Sequence, residues 1–125
     1  MNFYQEELKR IKSTVYGNQA QIEAVIGIRN YIKLNYHTDV NLEVLSETHF
    51  ISKYHLLRVF KKYYGTTPRQ FLTDTRIQKS KECLKKGMSV TETCFAVGFE
   101  SLGSFSALFK RKTGKSPTQF QKEQF

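Results

Sequence analysis

The sequence predicts an all-α fold in which two similar helical subdomains are joined by a long spacer helix. One observation is an internal repeat, because FKKYYGTTPRQF at residues 60–71 recurs as FKRKTGKSPTQF at residues 109–120. A second is that apolar residues recur at steps of three and four along most of the chain, as in helices with one buried face. A third is a series of helix caps, which divides the chain into about seven helices plus an extra N-terminal helix.

The extra N-terminal helix is predicted to be a packing arm or part of a linker. It should end at Gly17 and Asn18, a pair that disfavours helix. Its apolar stripe consists of Phe3, Leu8, Ile11 and Val15. A separate helix follows, marked by Ile22, Val25, Ile26, Ile28, Arg29, Ile32 and Tyr36.

The next two helices form the first repeated subdomain. Asn41 is a favourable N-cap for a short helix that ends near His49. Ser52 can cap the following helix, and Gly65 ends it through a left-handed C-cap. The predicted buried stripe of this second helix consists of Leu56, Val59, Phe60 and Tyr63.

A long spacer helix is predicted over residues 68–86. Thr67 is its N-cap, and Pro68 occupies the first helical position, where the missing N–H is harmless. At about 1.5 Å per residue the spacer is about 28 Å long. Arg76, within it, is expected to donate hydrogen bonds to loop carbonyls rather than to contact a ligand.

The second subdomain repeats the pattern of the first. Ser89 opens a capping box, Gly98 turns the chain, and Ser101 caps a helix that stops at Gly114. Ser116 then caps the last helix. The repeated aromatic residues are predicted to be core, and they are Phe60, Phe71, Phe109 and Phe120.

These features divide the chain into four parts. They are an N-terminal helical arm or linker (residues 1–20), a first subdomain (21–73), the spacer helix (74–86) and a second subdomain (87–125).

The charge distribution predicts a polyanionic partner. The formal net charge is +9. Residues 1–50 contain five Lys and Arg against six acids, whereas residues 51–125 contain fifteen against five. A basic excess confined to the repeated part of the chain is typical of a phosphate-binding surface, with an ordinary solubilising surface as the alternative. Double-stranded DNA is the obvious repeating polyanion.

Other classes of protein are not supported. The chain has neither a signal peptide nor a membrane span, so a cytoplasmic location without membrane association is expected. Cys83 and Cys94 are expected to be reduced. His37, His49 and His55 are too dispersed for a metal site, no cofactor is indicated, and no catalytic arrangement points to an enzyme.

A short helix, a turn and a second helix form a helix-turn-helix, which the sequence offers twice. In this motif the second helix enters the major groove of DNA. The helices over residues 52–64 and 101–113 would be the two reading helices. Successive major grooves recur about every 34 Å on one side of the duplex, close to the length of the spacer with its flanks.

From about Ile22 to the C-terminus, the sequence resembles the DNA-binding domain of AraC/XylS family transcriptional regulators. The resemblance rests on SKYHLLRVFKK at residues 52–62, VGFES at residues 97–101, and Gly65, Pro68, Arg76, Phe105, Phe109, Lys110, Gly114 and Pro117. It is similar to the small stand-alone members of the MarA and SoxS kind. That similarity implies binding to DNA as a monomer, activation of transcription and recruitment of RNA polymerase.

The resemblance also implies which side chains contact bases. In the first reading helix the matching positions are Tyr54, Leu57 and Arg58. Arg58 is the strongest candidate, since a guanidinium can donate two hydrogen bonds to guanine, worth about 1–3 kcal/mol of discrimination. In the second reading helix the positions are Leu102, Gly103 and Ala107, with Ser104 as a nearby hydroxyl.

Phosphate contacts are expected along each reading helix, mainly near its two ends. In the first helix the candidates are Ser52, Lys53, His55, Lys61 and Lys62, and in the second they are Ser101, Ser106, Lys110, Arg111 and Lys112. Because Leu102, Gly103 and Ala107 carry no hydrogen-bonding side chain, the two helices should differ in role. We expect the first to specify bases and the second to anchor the chain, or to read thymine methyls and DNA shape.

Two alternatives remain open at the level of sequence. The chain could be the DNA-binding fragment of a larger sensor-regulator, with the N-terminal stripe as a linker or pairing helix. It could also be a protein-interaction module that contacts RNA polymerase or another regulator, as the apolar second reading helix suggests.

Overall fold

The structure is a computed structural model that describes residues 3–125 and, within them, the side chains of residues 3–7 and 18–125. These residues form helices and no strand, which confirms the predicted all-α class. No helix in this part of the chain is long and apolar enough to cross a bilayer. The helices are α1 (Phe3–Asn35), α2 (Leu42–Thr48), α3 (Lys53–Tyr64), α4 (Pro68–Lys85), α5 (Val90–Ala96), α6 (Leu102–Thr113) and α7 (Pro117–Gln124).

The predicted break at Gly17 and Asn18 is wrong, because α1 is one continuous helix of 33 residues. Glycine in a helix interior costs about 1 kcal/mol relative to alanine, and asparagine costs less. Burial of downstream α1 side chains such as Val25 and Ile28 offsets a cost of this size. Phe3 is exposed and so belongs to no buried stripe. The predicted stripe positions Leu8, Ile11 and Val15 lie outside the described side chains.

The chain divides into two compact units. Unit 1 comprises Met1–Tyr31 and Asn41–Pro68, and unit 2 comprises Ile32–Val40 and Arg69–Phe125. Each unit contains one helix-turn-helix, formed by α2 and α3 in unit 1 and by α5 and α6 in unit 2. The division at residues 20, 73 and 86 stays a prediction.

Unit 1 has a core supplied by α1, α2 and α3. Phe60 is fully buried, and its ring lies 4.8 Å from that of Tyr64. The guanidinium of Arg29 lies 5.0 Å from the Tyr64 ring centre. Tyr63 is 52% exposed, so its predicted place in the buried stripe is wrong. The buried apolar residues are Ala24, Val25, Ile28, Leu45, Ile51, Leu56, Val59 and Phe60.

Unit 2 is built around a row of aromatic rings. Phe105 lies 5.1 Å from Phe99 and 5.8 Å from Phe109, and Phe109 lies 5.4 Å from Phe120. Phe105 and Phe109 are fully buried, whereas Phe120 packs against the core while partly exposed and Phe71 is half-buried. Ile77, Leu84 and Cys94 complete the buried cluster.

The helix boundaries follow the predicted caps. The side chains of Ser52, Ser89, Ser101 and Ser116 each accept a hydrogen bond from the backbone N–H three residues later. The Asn41 side chain accepts from two backbone N–H groups, those of Glu43 and Val44, which lie two and three residues later. The helix ends at Gly65 (φ 74°) and Gly114 (φ 83°) are left-handed, as predicted. Side-chain oxygens and glycines at these positions satisfy backbone groups that the helices leave unpaired.

The two helix-turn-helix turns close in the same way with different residues. In unit 2, Gly98 has φ 103° and Phe99 N donates to Cys94 O. In unit 1 the equivalent left-handed position is Phe50, with φ 54°, and Ile51 N donates to Ser46 O. A left-handed residue followed by a bond back across five residues is the usual end of a helix, and glycine is the residue that fits it best.

Candidate nucleic-acid interface

Helix α3 has an outward face that carries the predicted base-contact residues. Tyr54 is 70% exposed and Leu57 is 50% exposed, and Arg58 is also exposed. Leu56 and Val59, on the opposite face, are buried. The amphipathic pattern therefore fixes which side of α3 faces the core of unit 1 and leaves the three predicted readers available to a ligand.

The N-terminal end of α3 already has local partners for its predicted phosphate contacts. The Ser52 hydroxyl accepts from His55 N and lies 2.8 Å from His55 Nδ1. Lys53 forms an ion pair with Glu43 of α2. The hydrogen bond from Lys53 and its charge lower the pKa of Glu43 from its ordinary value. Any phosphate that binds Lys53 must therefore compete with Glu43.

The C-terminal end of α3 is cationic and exposed. Lys61 and Lys62 occupy its last turn. The ammonium group of Lys62 lies 5.7 Å from the ring centre of Tyr63, which is within reach of a cation–π attraction. These two lysines complete the set of predicted contacts in unit 1.

Helix α6 offers a smaller and less polar outward face. Leu102, Gly103, Ser104 and Ala107 are exposed, whereas Ser106 is half-buried. A Cβ built on Gly103 would have no neighbour within 4 Å, so nothing covers this part of the helix in unit 2. Such a face can make apolar contacts, and the exposed Ser104 hydroxyl can donate one hydrogen bond and accept others.

The last turn of α6 carries three exposed cations, Lys110, Arg111 and Lys112. Lys112 Nζ lies 3.1 Å from Asp74 Oδ1 of α4, in a half-exposed ion pair. Both units therefore pair one predicted phosphate-binding lysine with a carboxylate from another helix.

Arg76 has the structural role predicted for it. Its Nε donates to Tyr36 O at 2.7 Å, and its terminal nitrogen donates to Thr38 O at 2.8 Å. Burial lowers the pKa of Arg76 from its ordinary value, while the charges of Asp39 and Glu100 oppose that shift. The arginine thereby ties the segment after α1 to α4 inside unit 2.

Known proteins share the sequence pattern and the fold of this chain. The family model for a helix-turn-helix domain matches residues 45–123. A probable AraC family transcriptional regulator from Rhodopseudomonas palustris superposes with a TM-score of 0.73 and 25% identity, over 82% of this chain and 97% of that one. This chain belongs to the AraC family of helix-turn-helix transcriptional regulators.

Two further proteins extend the comparison. A relative named as an uncharacterised HTH-type transcriptional regulator in the cgkA 5' region of Pseudoalteromonas carrageenovora is 34% identical over 74% of this chain and 55% of its own length. The DNA-binding domain of AdpA, solved in complex with a target DNA, shares the fold with a TM-score of 0.75 and 23% identity, over 79% of this chain and 90% of that one. The chain thus spans about half the length of the curated relative.

Two surface clefts of this AraC-family chain were not predicted from its sequence. One, of about 500 Å³ in unit 2, lies beside the Arg76 bonds and is lined by His37, Asp39, Glu100, Ser101 and Ser104 among others. The other, of about 230 Å³ in unit 1, is lined by Asn18, Gln21, Ile22, Arg58, Val59, Lys62 and Tyr63. Sequence reasoning missed the second because it treated residues 1–20 as a separate arm.

Proposed function

We propose that this chain binds double-stranded DNA sequence-specifically and regulates transcription. In this proposal α3 enters one major groove and supplies most of the base contacts. Helix α6 enters the next major groove along the duplex and holds the chain there with less selectivity. The bases are contacted by Tyr54, Leu57, Arg58, Leu102, Gly103, Ser104 and Ala107.

One observation carries the proposal. Tyr54, Leu57 and Arg58 lie together on the exposed face of α3, whose opposite face is buried in unit 1. The side chains on this face differ in chemistry, because one is a fork-shaped cation, one an aromatic hydroxyl and one a branched alkyl group. Such a combination can discriminate among base edges and thymine methyls in the major groove.

The proposed division of labour follows from what α6 exposes. Leu102, Gly103 and Ala107 can contact thymine methyls or follow groove shape, but they cannot donate paired hydrogen bonds to a base. The cations at the end of α6 can still hold phosphates, which gives affinity without sequence preference. Specificity should therefore be concentrated in unit 1.

In vitro selection from a random duplex library would test this assignment. The unsubstituted chain should enrich one site, and Arg58→Ala should flatten its base preferences by about 1–3 kcal/mol at one or two positions. Arg111→Ala should weaken binding to all duplexes alike. Equal loss of base preference from both substitutions would refute the division of labour, and no enriched site at all would refute sequence-specific binding.

We further propose that the regulator acts in the cytoplasm as a monomer that activates transcription through contact with RNA polymerase. The two helix-turn-helix motifs on one chain support the monomer, because each supplies a reading helix without a second copy. Sedimentation at increasing concentration tests this point. A dimer at micromolar concentration would instead favour a role for α1 in pairing, as expected of a DNA-binding part within a larger sensor-regulator. The longer curated relative gives that alternative its support.

A protein-interaction module is the second candidate function, favoured by the apolar exposed face of α6. The two candidate functions differ in how binding to duplex DNA depends on salt. If the chain binds DNA mainly through phosphates, its affinity should fall steeply as salt rises, with the logarithm of affinity linear in the logarithm of salt concentration. Weak, salt-independent binding to any duplex even at low salt would support the protein-interaction module.

A further inference from the structure

The polar cleft between α1 and α3 in unit 1 combines amide and cationic side chains. Asn18 and Gln21 line it from α1, and Arg58 and Lys62 line it from α3. None of the described residues that line it is acidic. Among the described residues, no carboxylate forms an ion pair with Arg58 or Lys62. The cleft is therefore positive and offers hydrogen-bond donors of two kinds.

The size of the cleft limits what it can hold. Its volume is about 230 Å³, whereas pockets for drug-sized ligands measure about 300–1,000 Å³. A single tetrahedral anion fits such a space better than a nucleotide does. Guanidinium, ammonium and amide N–H groups are all donors that proteins use to bind phosphate oxygens.

We propose that this cleft is a phosphate-binding site formed jointly by α1 and α3. Asn18 and Gln21 donate hydrogen bonds to the phosphate oxygens, and Lys62 supplies charge. Arg58 lines the same cleft, so bound phosphate would hold its side chain at the edge of the reading face. The site extends the DNA interface beyond the helix-turn-helix to the N-terminal helix.

The phosphate could come from the DNA backbone or from free ions, and the backbone is the source expected here. This part of the inference rests on the proposed function, because it requires α3 to approach a duplex. Arg58 belongs both to the cleft and to the exposed face of α3. When α3 lies in the major groove, a phosphate at the edge of that groove would therefore be close to the cleft. A free phosphate in the cleft would instead compete with DNA for Arg58.

Neutral substitutions separate this site from the general positive charge of the chain. The double variant Asn18→Ala, Gln21→Ala keeps the net charge, and we expect it to bind every duplex about tenfold more weakly, since hydrogen bonds to charged groups are worth more than neutral ones. Gln19→Ala is the matched control, because Gln19 is an exposed amide on the same helix that donates to Glu23 and does not line the cleft. It should leave affinity unchanged.

A second measurement does not depend on DNA. Inorganic phosphate is added to the free chain at constant ionic strength while the NMR signals of the Gln21 and Asn18 side-chain amides are followed. We expect these amide signals to shift in a saturable manner with phosphate and not with chloride. Phosphate should also shift the signals of the Lys62 side chain, and the double variant should abolish that shift. Shifts with unchanged duplex affinity would support the phosphate site with free ions as its source.

The inference is overturned if the double variant folds normally, binds duplexes as the unsubstituted chain does, and neither amide responds to phosphate. Failure of the proposed function would give a different result. If the chain is not a DNA-binding protein, the unsubstituted chain would not bind duplexes, but the phosphate titration would still test the cleft.

Discussion

Phe50 combines two properties that are unfavourable for its residue type. Its φ of 54° lies in the left-handed region, and its side chain is 97% exposed. A bulky side chain in that region costs about 1–2 kcal/mol relative to glycine. Burial gives almost nothing in return, since nearly the whole side chain is in water.

Replacing Phe50 with glycine should stabilise the chain. The left-handed strain disappears and no buried surface is lost, although glycine adds entropy to the unfolded state. We expect the free energy of unfolding to rise by about 1 kcal/mol, measured by urea denaturation. Phe50→Ala is the control, because it removes the ring and keeps the Cβ that causes the strain. Equal stabilisation by both variants would show that the exposed ring of Phe50, and not its left-handed backbone, lowers the free energy of unfolding.

Gly98 occupies the matching turn in unit 2 and has a second constraint. A Cβ there would lie 2.9 Å from Tyr36 O and 3.0 Å from Arg76 Nε, the two atoms that share a hydrogen bond. Gly98→Ala should therefore cost at least about 2 kcal/mol, from positive φ and from displacement of Arg76. Thermal unfolding measures this loss.

Gly103→Ala provides the contrast for Gly98. Gly103 is helical, and a Cβ there meets nothing within 4 Å. This substitution should raise stability by up to about 1 kcal/mol, because alanine favours helix. A comparable loss of stability from Gly103→Ala would show that a Cβ is destabilising even at an open helical position, and the Gly98 loss could then not be assigned to its left-handed backbone and close contacts.

At the scale of helices, acidic side chains restrain predicted phosphate contacts. Glu43 of α2 pairs with Lys53 of α3, and Asp74 of α4 pairs with Lys112 of α6. These pairs are exposed and contribute little to folding. In each pair, however, the carboxylate binds a lysine that could otherwise bind a DNA phosphate.

Glu43→Gln should therefore strengthen DNA binding without regard to sequence. Freeing Lys53 removes the competing carboxylate, and we expect affinity to rise severalfold in a salt-dependent manner, measured by fluorescence anisotropy. Glu47→Gln changes the net charge equally, and Glu47 is an exposed acid of the same helix without an ion pair in the described residues. A rise of the same size from Glu47→Gln would assign the effect to net charge alone.

The pH dependence of this pair has a definite sign. Because Lys53 lowers the pKa of Glu43, the pair is fully formed above the ordinary glutamate pKa and is lost as pH falls through the lowered value. The affinity difference between Glu43→Gln and the unsubstituted chain should accordingly disappear at acidic pH. Its persistence at a pH where Glu43 is protonated would contradict the competition.

Local signals in the sequence predicted most of the elements. Caps at Asn41, Ser52 and Ser101 and stops at Gly65 and Gly114 lie where side-chain chemistry requires them. The predicted break at Gly17 and Asn18 was wrong, because the weak intrinsic preference of these residues against helix does not end a helix that packing stabilises. The Glu43–Lys53 pair and the α1–α3 cleft could not be predicted, since both depend on how separate segments pack.

For the whole molecule, the excess of positive charge lies in residues 51–125 and not in residues 1–50. We therefore expect phosphate contacts to be localised rather than spread over the whole surface. A localised contact has a measurable consequence. Each phosphate neutralised contributes about −0.9 to the slope of log affinity against log salt. A substitution that removes a contacting cation reduces the slope, whereas loss of a distant cation changes affinity only weakly.

The double variant Lys110→Gln, Arg111→Gln should reduce that slope by about 1.8, because it removes two phosphate contacts at the end of α6. The base preferences of the chain should stay as they are. Lys85→Gln, Lys86→Gln is the matched pair, since these exposed cations at the end of α4 carry the same charge and lie outside the proposed interface. If both pairs reduce the slope equally, the DNA is held by diffuse charge, and α6 has no special role as an anchor.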